Sequence, residues 1–149
     1  MVRKLSVLCA FAVLFSITSW SNGLPVTDCD RLAASPTDPY RKTIGVLPEQ
    51  IDANRAIPAC EAAVRQYPND VQLSFQLGRA FFKAQNIQAA VDQLRKAAEQ
   101  GYAAAQYNLG VMYEYGRGVS QDYGEALIWY RKAAEQGDEM AKDKLGQLA

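Results

Sequence analysis

The chain has 149 residues, of which 49% are hydrophobic, 10% aromatic and 21% charged, with 16 Lys and Arg residues against 16 Asp and Glu residues. This length and composition are typical of one globular domain, and the balanced charge argues against a protein built mainly to coat nucleic acid. The sequence contains no histidine. Ser-His-Asp and Cys-His catalytic pairings and histidine-ligated metal sites are therefore excluded.

The N-terminal segment 1–23 is predicted to be a secretory signal peptide. Arg3 and Lys4 form a positively charged start, and an uncharged, largely apolar run covers 5–18. A small, polar stretch follows, and cleavage is expected after Ser21 or after Gly23. The apolar run is shorter than the ~20 residues needed to span a bilayer. We therefore expect an exported protein, periplasmic or secreted, with no membrane insertion after cleavage.

Removal of the signal peptide would leave two of the three cysteines, Cys29 and Cys60. Cys9 lies inside the apolar run, too early for a lipid attachment site. In an exported chain an even pair of cysteines favours a disulfide because the compartment is oxidising. Two free buried thiols are the alternative. Further metal ligands are lacking beside this pair, and we predict neither a metal site nor a cofactor.

From residue 69 onward the chain repeats itself. The heptapeptide 95–101 recurs unchanged at 131–137, and an earlier copy of the Leu-Gly motif, at 77–78, precedes those at 109–110 and 145–146. The copies are 32 or 36 residues apart. Periods of this length indicate helical solenoid repeats. The predicted fold class is therefore all-α, built from antiparallel helix pairs.

Each repeat is predicted to contain two helices, whose apolar residues recur at spacings of 0, 4, 7 and 8 and so share one face. In the first helices these residues are Leu73, Leu77, Ala80 and Phe81, then Ala105, Leu109, Met112 and Tyr113, then Ala141, Leu145, Leu148 and Ala149. In the second helices they are Ala90, Leu94, Ala97 and Ala98, then Ala126, Tyr130, Ala133 and Ala134. We expect helices near 70–84, 86–100, 103–115, 123–136 and 139–148.

Glycines and polar pairs mark particular places in these helices. Gly78, Gly110 and Gly146 stand at one register inside the first helices, where Gly costs ~1 kcal/mol relative to Ala, so each is predicted to let a partner helix approach closely. Gly101 and Gly137 follow the last periodic residues, where a helix ends in the left-handed conformation. Capping-box pairs are predicted at two helix starts. They are Asn69 with Gln72 and Asp122 with Glu125.

The second unit carries motifs that resemble a known repeat. They are Ala105 to Tyr113, the connector Gly116-Arg117-Gly118 and Ala126 to Gly137. With these motifs, residues 102–137 resemble a Sel1-like repeat, the longer-loop relative of the tetratricopeptide repeat. Residues 69–101 lack the Gly-x-Gly connector and resemble a plain tetratricopeptide unit, and 138–149 contain the first helix of a further repeat, expected as a C-terminal cap. The resemblance implies a short right-handed superhelix.

Segment 24–68 contains all six prolines and no repeat. It is predicted to be an irregular leader that ends in a helix around 52–66, which Pro58 either starts anew or kinks. The sequences around its two cysteines resemble a leader found before such repeats in exported bacterial proteins. A disulfide would tie the irregular stretch onto the helix.

The sequence is compatible with two classes of function, a binding scaffold and an enzyme. Stacked helix pairs present a curved surface, and the resemblance implies a non-catalytic scaffold that engages a peptide or protein partner. The alternative is an enzyme that binds or hydrolyses β-lactam or peptidoglycan-type substrates, as described for some cysteine-rich Sel1-like proteins. Those relatives carry cysteines within the repeats, whereas here no cysteine lies beyond Cys60, and no serine has a lysine three residues on.

The partner is predicted to contact the concave face along one stripe of the first helices. The stripe comprises Gln76, Arg79 and Lys83 in the first unit and Asn108, Val111 and Tyr115 in the second, with Tyr107 and Lys144 at its border. In tetratricopeptide-like proteins the asparagine before the Leu-Gly pair often holds a peptide's backbone or terminal carboxylate, and Asn108 stands at that position. Gln76 and Lys144 occupy the matching places and depart from an asparagine pair. A solenoid this short also leaves its ends open to weak self-association.

Overall fold

The computed structural model describes residues 20–21, 24–37 and 45–148. Most of the predicted signal peptide, including Cys9, and also Ala149 therefore lie outside the described residues. Within these ranges, the chain forms one short antiparallel pairing, of β1 with β2, followed by helices. The elements are β1 (Trp20–Ser21), β2 (Leu24–Pro25), α1 (Asp28–Ala33), a 3-10 turn (Pro48–Gln50), α2 (Ala53–Gln66), α3 (Val71–Lys83), α4 (Ile87–Glu99), α5 (Ala103–Tyr115), α6 (Tyr123–Glu135) and α7 (Glu139–Leu148).

The helices pack as consecutive pairs, which confirms the predicted all-α solenoid. α3 packs on α4 and α5 packs on α6, while α4 contacts α5 and α7 closes the stack against α6. The five predicted repeat helices agree with the observed ones to within a single position at each end. α2 is a single helix that contains Pro58. The predicted cap at Asn69 is wrong, because the side chain of Asp70, the next residue, accepts the hydrogen bond from the backbone N–H of Gln72 at 3.2 Å.

Three apolar clusters hold the stack together. The first joins the leader to α3, with buried Cys29, Ala33, Ile51, Ala56, Cys60, Ala63, Leu73, Leu77 and Ala80. The second joins α4 to α3 and α5, with buried Phe75, Val91, Leu94, Ala97, Ala98, Tyr102, Ala105, Leu109 and Met112. The third lies between α6 and its neighbours, with buried Ala126, Tyr130, Ala133 and Ala141. The predicted apolar faces are therefore the faces that the described residues bury.

The predicted close approach at the helix glycines is confirmed at two positions and wrong at the third. A Cβ on Gly110 would lie 2.7 Å from Cε1 of Tyr130, and one on Gly78 would lie 3.1 Å from Cγ of Leu94. A Cβ on Gly146 would meet nothing within 4 Å. Gly110 and Gly78 each face the second helix of their own unit. No second helix packs on that side of α7 in the described part of the chain.

Left-handed glycines end helices and shape the connector of the second unit. Gly101 and Gly137 have φ angles of 87° and 89°, as predicted. Gly116 ends α5 at φ 62°. Gly118, at φ 71°, comes so close to α4 that a Cβ there would lie 2.7 Å from Cγ2 of Ile87. The connector between α5 and α6 is therefore packed against the preceding unit.

The leader is attached to the repeats covalently and by packing. Cys29 in α1 and Cys60 in α2 are joined by a disulfide with their Cα atoms 4.5 Å apart, and both cysteines are fully buried. α1 also contacts α3. Of the two states that the sequence allows for this pair, the structure contains the disulfide.

We predict opposite effects of the same substitution at two glycines. Gly110→Ala should lower the free energy of unfolding by about 1–3 kcal/mol, because its Cβ would overlap the buried Tyr130 ring. Gly146→Ala should raise it by about 0.5–1 kcal/mol, because the site is open and Ala has the higher helix propensity. Urea unfolding of both variants measures these changes. If Gly110→Ala is as stable as Gly146→Ala, the ring contact does not limit the packing.

Candidate partner-binding groove

A cavity of about 490 Å³ opens on the side of the stack formed by the first helices, between the leader, α3 and α5. Four residues of the predicted stripe line it, namely Arg79, Lys83, Asn108 and Val111. The remaining lining residues are Pro48, Glu49, Ile51, Gly78, Phe82, Gln85, Leu94, Met112 and Arg117. We call this cavity and its lining the groove.

The groove combines an apolar lining with an excess of positive charge. Apolar side chains include those of Phe82, Val111 and Met112. Three basic residues line the cavity, whereas Glu49 is the acidic residue among the described lining residues. Apolar surface with a few charged groups is typical of a recognition site, because burial supplies binding energy and the charges supply specificity.

On α3, the structure corrects the predicted role of Gln76. This side chain is fully buried, at 0% exposure. Its Nε2 donates to Oδ1 of Asp30 at 3.1 Å, and its Oε1 lies 3.1 Å from Sγ of Cys29. Gln76 therefore faces α1 and does not line the groove. It shares a helical stripe with Arg79, as predicted, but the leader covers that position.

Arg79 and Lys83 lie in the groove but are also bound to the leader. The guanidinium of Arg79 donates to the backbone carbonyls of Ala33 and Val46, the second at 2.8 Å. Nζ of Lys83 donates to the carbonyl of Glu49 at 3.1 Å. In these contacts both cations therefore hold main-chain oxygens of the leader rather than carboxylates.

On α5, some of the predicted residues line the groove and others lie outside it. Nδ2 of Asn108 donates to the carbonyl of Ala104 in its own helix at 2.7 Å, and Val111 lies about one turn further along. Tyr107 instead packs on Tyr130, with ring centroids 5.7 Å apart, and burial raises the pKa of its phenol. Tyr107 is thus a packing residue that does not line the groove.

The other two predicted residues, Tyr115 and Lys144, belong to a polar cluster around Glu114. Nζ of Lys144 in α7 donates to Oε1 of Glu114 at 2.8 Å and to the Tyr115 hydroxyl at 3.3 Å. The Tyr130 hydroxyl donates to Oε2 of the same carboxylate. This cluster therefore links α5, α6 and α7, while Tyr115 remains 54% exposed and has Arg117 5.7 Å from its ring centroid.

The protonation of this cluster follows from its contacts. Burial opposes ionisation of Glu114, but the hydrogen bonds from Lys144 and Tyr130 outweigh burial and lower the pKa of the Glu114 carboxyl below its ordinary 4.5. The hydrogen bond to Glu114 raises the pKa of Lys144 above 10.5. Burial, together with the adjacent carboxylate, raises the pKa of the Tyr130 phenol. At neutral pH the cluster is an ion pair with a neutral phenol.

Sequence reasoning missed several groove residues for identifiable reasons. Met112 follows the apolar helix pattern, which does not separate core from groove lining, and Phe82 stands next to the last member of that pattern, Phe81. Arg117 stands in the Gly-Arg-Gly connector, where the glycines explain the pattern without a binding role. Glu49 and Ile51 belong to the irregular leader and have no periodic signal.

The described residues offer neither a metal site nor a membrane span. No cluster of three or more His, Cys, Asp or Glu side chains there could hold a metal ion. Within the same ranges, no helix has the length and apolar character required to cross a bilayer.

Comparison with known proteins agrees with this geometry. The family model of the Sel1 repeat matches residues 103–138, and that of a tetratricopeptide repeat matches residues 50–104. The second match includes α2, which the sequence analysis groups with the leader. A stack of antiparallel helix pairs with these two matches defines a helical repeat solenoid. Residues 50–138 of the chain are therefore helical repeats of the Sel1 and tetratricopeptide type.

Individual relatives match over part of the chain. The crystal structure of a Sel1 repeat protein from Oxalobacter formigenes has a TM-score of 0.54 and 34% identity, and the match covers 65% of this chain and 43% of that one. DAP3-binding cell death enhancer 1 from Rattus norvegicus is 38% identical over 82 residues, which are 52% of this chain and 16% of the relative. An exopolysaccharide production negative regulator from Rhizobium meliloti is 35% identical over 72 residues, which are 48% of this chain and 27% of the relative.

These matches concern the repeats rather than whole proteins. Chitin synthase regulator SKT5 from Malassezia restricta is 46% identical over 55 residues, which are 37% of this chain but 4% of the relative. The chain therefore spans between 4% and 27% of the lengths of these three curated relatives.

The ion pair predicts how stability responds to acid. Because the pKa of Glu114 is lower in the folded state, its contribution is present above pH 4.5 and is lost as the pH falls through the folded value. Glu114→Gln should therefore reduce the free energy of unfolding at pH 7, and the difference from the unaltered protein should narrow at pH 3. Urea unfolding at both pH values measures this.

Glu99→Gln, at an exposed position of α4, is the matched control. It should change the free energy of unfolding by less than ~0.5 kcal/mol at pH 7. An equal loss for Glu114→Gln at pH 7 and pH 3 would show that the lost stability comes from packing and not from the charge.

Proposed function

We propose that this protein is a non-catalytic, exported scaffold that binds a peptide or protein partner in the groove. The observation that carries the proposal is the cavity between α3 and α5, which joins apolar side chains to three basic residues on a stack of packed helices. Repeat solenoids present such surfaces because neighbouring units place equivalent side chains side by side.

The relatives support a binding role at the level of the repeat. Their names describe regulators and a DAP3-binding protein. Each name applies to that protein. What these proteins share with this chain is the repeat segment, which supports assigning to this segment the task of contacting another protein.

Export is the second part of the proposal. It is supported by the signal-peptide pattern of segment 1–23 and by the buried Cys29–Cys60 disulfide, since structural disulfides persist in oxidising compartments. Periplasmic and secreted locations are both compatible with these features. Weak self-association stays a prediction that measurement of the molar mass in solution checks.

Partner capture should depend on the part of the groove that α5 and its connector form. Mature protein immobilised on a resin and exposed to an envelope extract should retain a partner that Asn108→Ala and Arg117→Ala retain about tenfold more weakly. The reason is that a lost hydrogen bond to a charged group weakens binding by roughly that factor. Both variants should melt within a few degrees of the unaltered protein, because neither side chain belongs to the apolar clusters.

Lys96→Ala is the control for this experiment, because Lys96 lies on α4 and outside the groove. It should capture the partner at the unaltered level. A partner that is retained equally by all three variants binds elsewhere, and retention of no partner at all contradicts the scaffold proposal.

Export and the disulfide can be tested on one preparation. Protein produced with its complete N-terminal segment should lack the signal residues, with its new N-terminus after Ser21 or Gly23, and should contain no alkylatable thiol. Cys60→Ser should cost about 3–4 kcal/mol if constraint of the unfolded chain dominates, given the sequence separation of 31. Peptide mapping without reduction measures the pairing, and two alkylatable thiols in exported protein would contradict it.

A further inference from the structure

The stripe that the sequence predicts as a partner site on α3 is already occupied by the chain itself. Gln76 donates to Asp30, Arg79 donates to the carbonyls of Ala33 and Val46, and Lys83 donates to the carbonyl of Glu49. All of these contacts reach residues far away in the sequence, in the leader. The leader therefore covers the α3 part of the predicted stripe.

The segment 45–51 makes the outer part of this contact. Its N–H at Val46 donates to the carbonyl of Ala34 at 2.7 Å, and Ile51 is buried at 3% exposure in the cluster beneath α3. Gly45 turns the segment at φ 87°, so close to Pro36 that a Cβ would lie 2.5 Å from its Cα. The segment therefore has a defined course along α3 and is anchored at both ends.

The same segment forms one wall of the groove, through Pro48, Glu49 and Ile51. At the equivalent positions of the next unit, the described part of the leader does not hydrogen-bond to the α5 side chains of the stripe that line the groove. Asn108 and Val111 line the cavity, and among the described residues no hydrogen bond joins their side chains to the leader. One continuous face is thus covered by the leader along α3 and open along α5.

We infer that segment 45–51 is an intramolecular ligand of the α3 face, and that a partner extending along both α3 and α5 must displace it. The hydrogen bonds from Arg79 to Ala33 and Val46 and from Lys83 to Glu49 end on main-chain oxygens. Every peptide presents such oxygens, so another extended chain can accept the same hydrogen bonds. Occupancy by the leader does not depend on the proposed function. Competition with a partner rests on it.

Tethering makes this competition strong. A segment linked directly to α2 is present near α3 at an effective concentration on the order of millimolar. A partner that needs the occupied site meets a competent surface only in the small fraction of molecules whose segment has left, and its apparent affinity falls by that fraction. The leader would therefore set a threshold for binding and favour partners that are satisfied by the α5 half alone.

The test adds the segment back to a chain that lacks it. In the full chain, residues 45–51 are replaced by Gly and Ser residues of equal number, with Cys29 and Cys60 kept. A synthetic peptide with the sequence of 45–51 is then titrated while the backbone amide NMR signals of Arg79 and Lys83 are followed. The peptide should shift these signals in the replaced chain. It should bind at least about tenfold more weakly to the unaltered protein, because segment 45–51 already fills the site there.

Two variants of the replaced chain show whether the carbonyl contacts matter. Arg79→Met should weaken binding of the peptide about tenfold, because the substitution removes charged donors while keeping much of the side-chain volume. Lys96→Ala should leave the titration unchanged. Equal binding to the replaced and unaltered chains, or no binding to a replaced chain that keeps its helical circular dichroism, would overturn the inference.

If the replaced chain does not fold, hydrogen exchange on the otherwise native Arg79→Met variant decides. The amide of Val46 should exchange about tenfold faster, because the segment leaves α3 more often, while the amides of Leu109 and Ala133 in the second unit keep their rates. An unchanged rate at Val46 would overturn the inference. In the capture experiment, the replaced chain should retain a partner more strongly than the unaltered protein, whereas failure to find a partner contradicts the proposed function and leaves the peptide result to decide occupancy.

Discussion

The contact between the Tyr130 ring and the backbone of Gly110 sets the geometry of the second unit. With no side chain at position 110, α6 comes close enough to α5 for the Tyr130 hydroxyl to reach Glu114. The same carboxylate then binds Lys144 from α7. One close approach thereby fixes the rotation of three helices about their axes. On the same helix, Asn108 and Val111 line the groove.

The repeats were predictable because their signal is periodic and internal. An unchanged heptapeptide at 95–101 and 131–137 and apolar spacings of 0, 4, 7 and 8 place each helix end within one residue of where it is observed. The two failures are local. Asp70 replaces Asn69 as the cap, since adjacent residues of similar chemistry compete for one position. Gly146 meets no partner helix in the described chain, because the same residue at the same register has a packing role only where a second helix is present.

The candidate site was predictable only in part, because one of its walls comes from a segment without a pattern. Spacing predicts Arg79, Lys83, Asn108 and Val111 on one stripe, and these four residues line one cavity. It could not show that Gln76 is buried against Asp30, since that contact joins residues 46 positions apart. Hydrogen bonds to main-chain carbonyls leave no trace in the identity of the accepting residues. The position of the leader therefore becomes visible only in three dimensions.

The packing of Gly118 against Ile87 has a consequence for the thermodynamics of recognition. Because the connector of one unit is packed against a helix of the unit before it, bending between the two units would break this contact, and the spacing of α3 and α5 is restrained before any partner arrives. Little conformational entropy of the scaffold is then left to lose on association, so the entropic cost of ordering falls mainly on the partner. A partner segment that already has its bound conformation would therefore bind more tightly than a flexible segment that makes the same contacts.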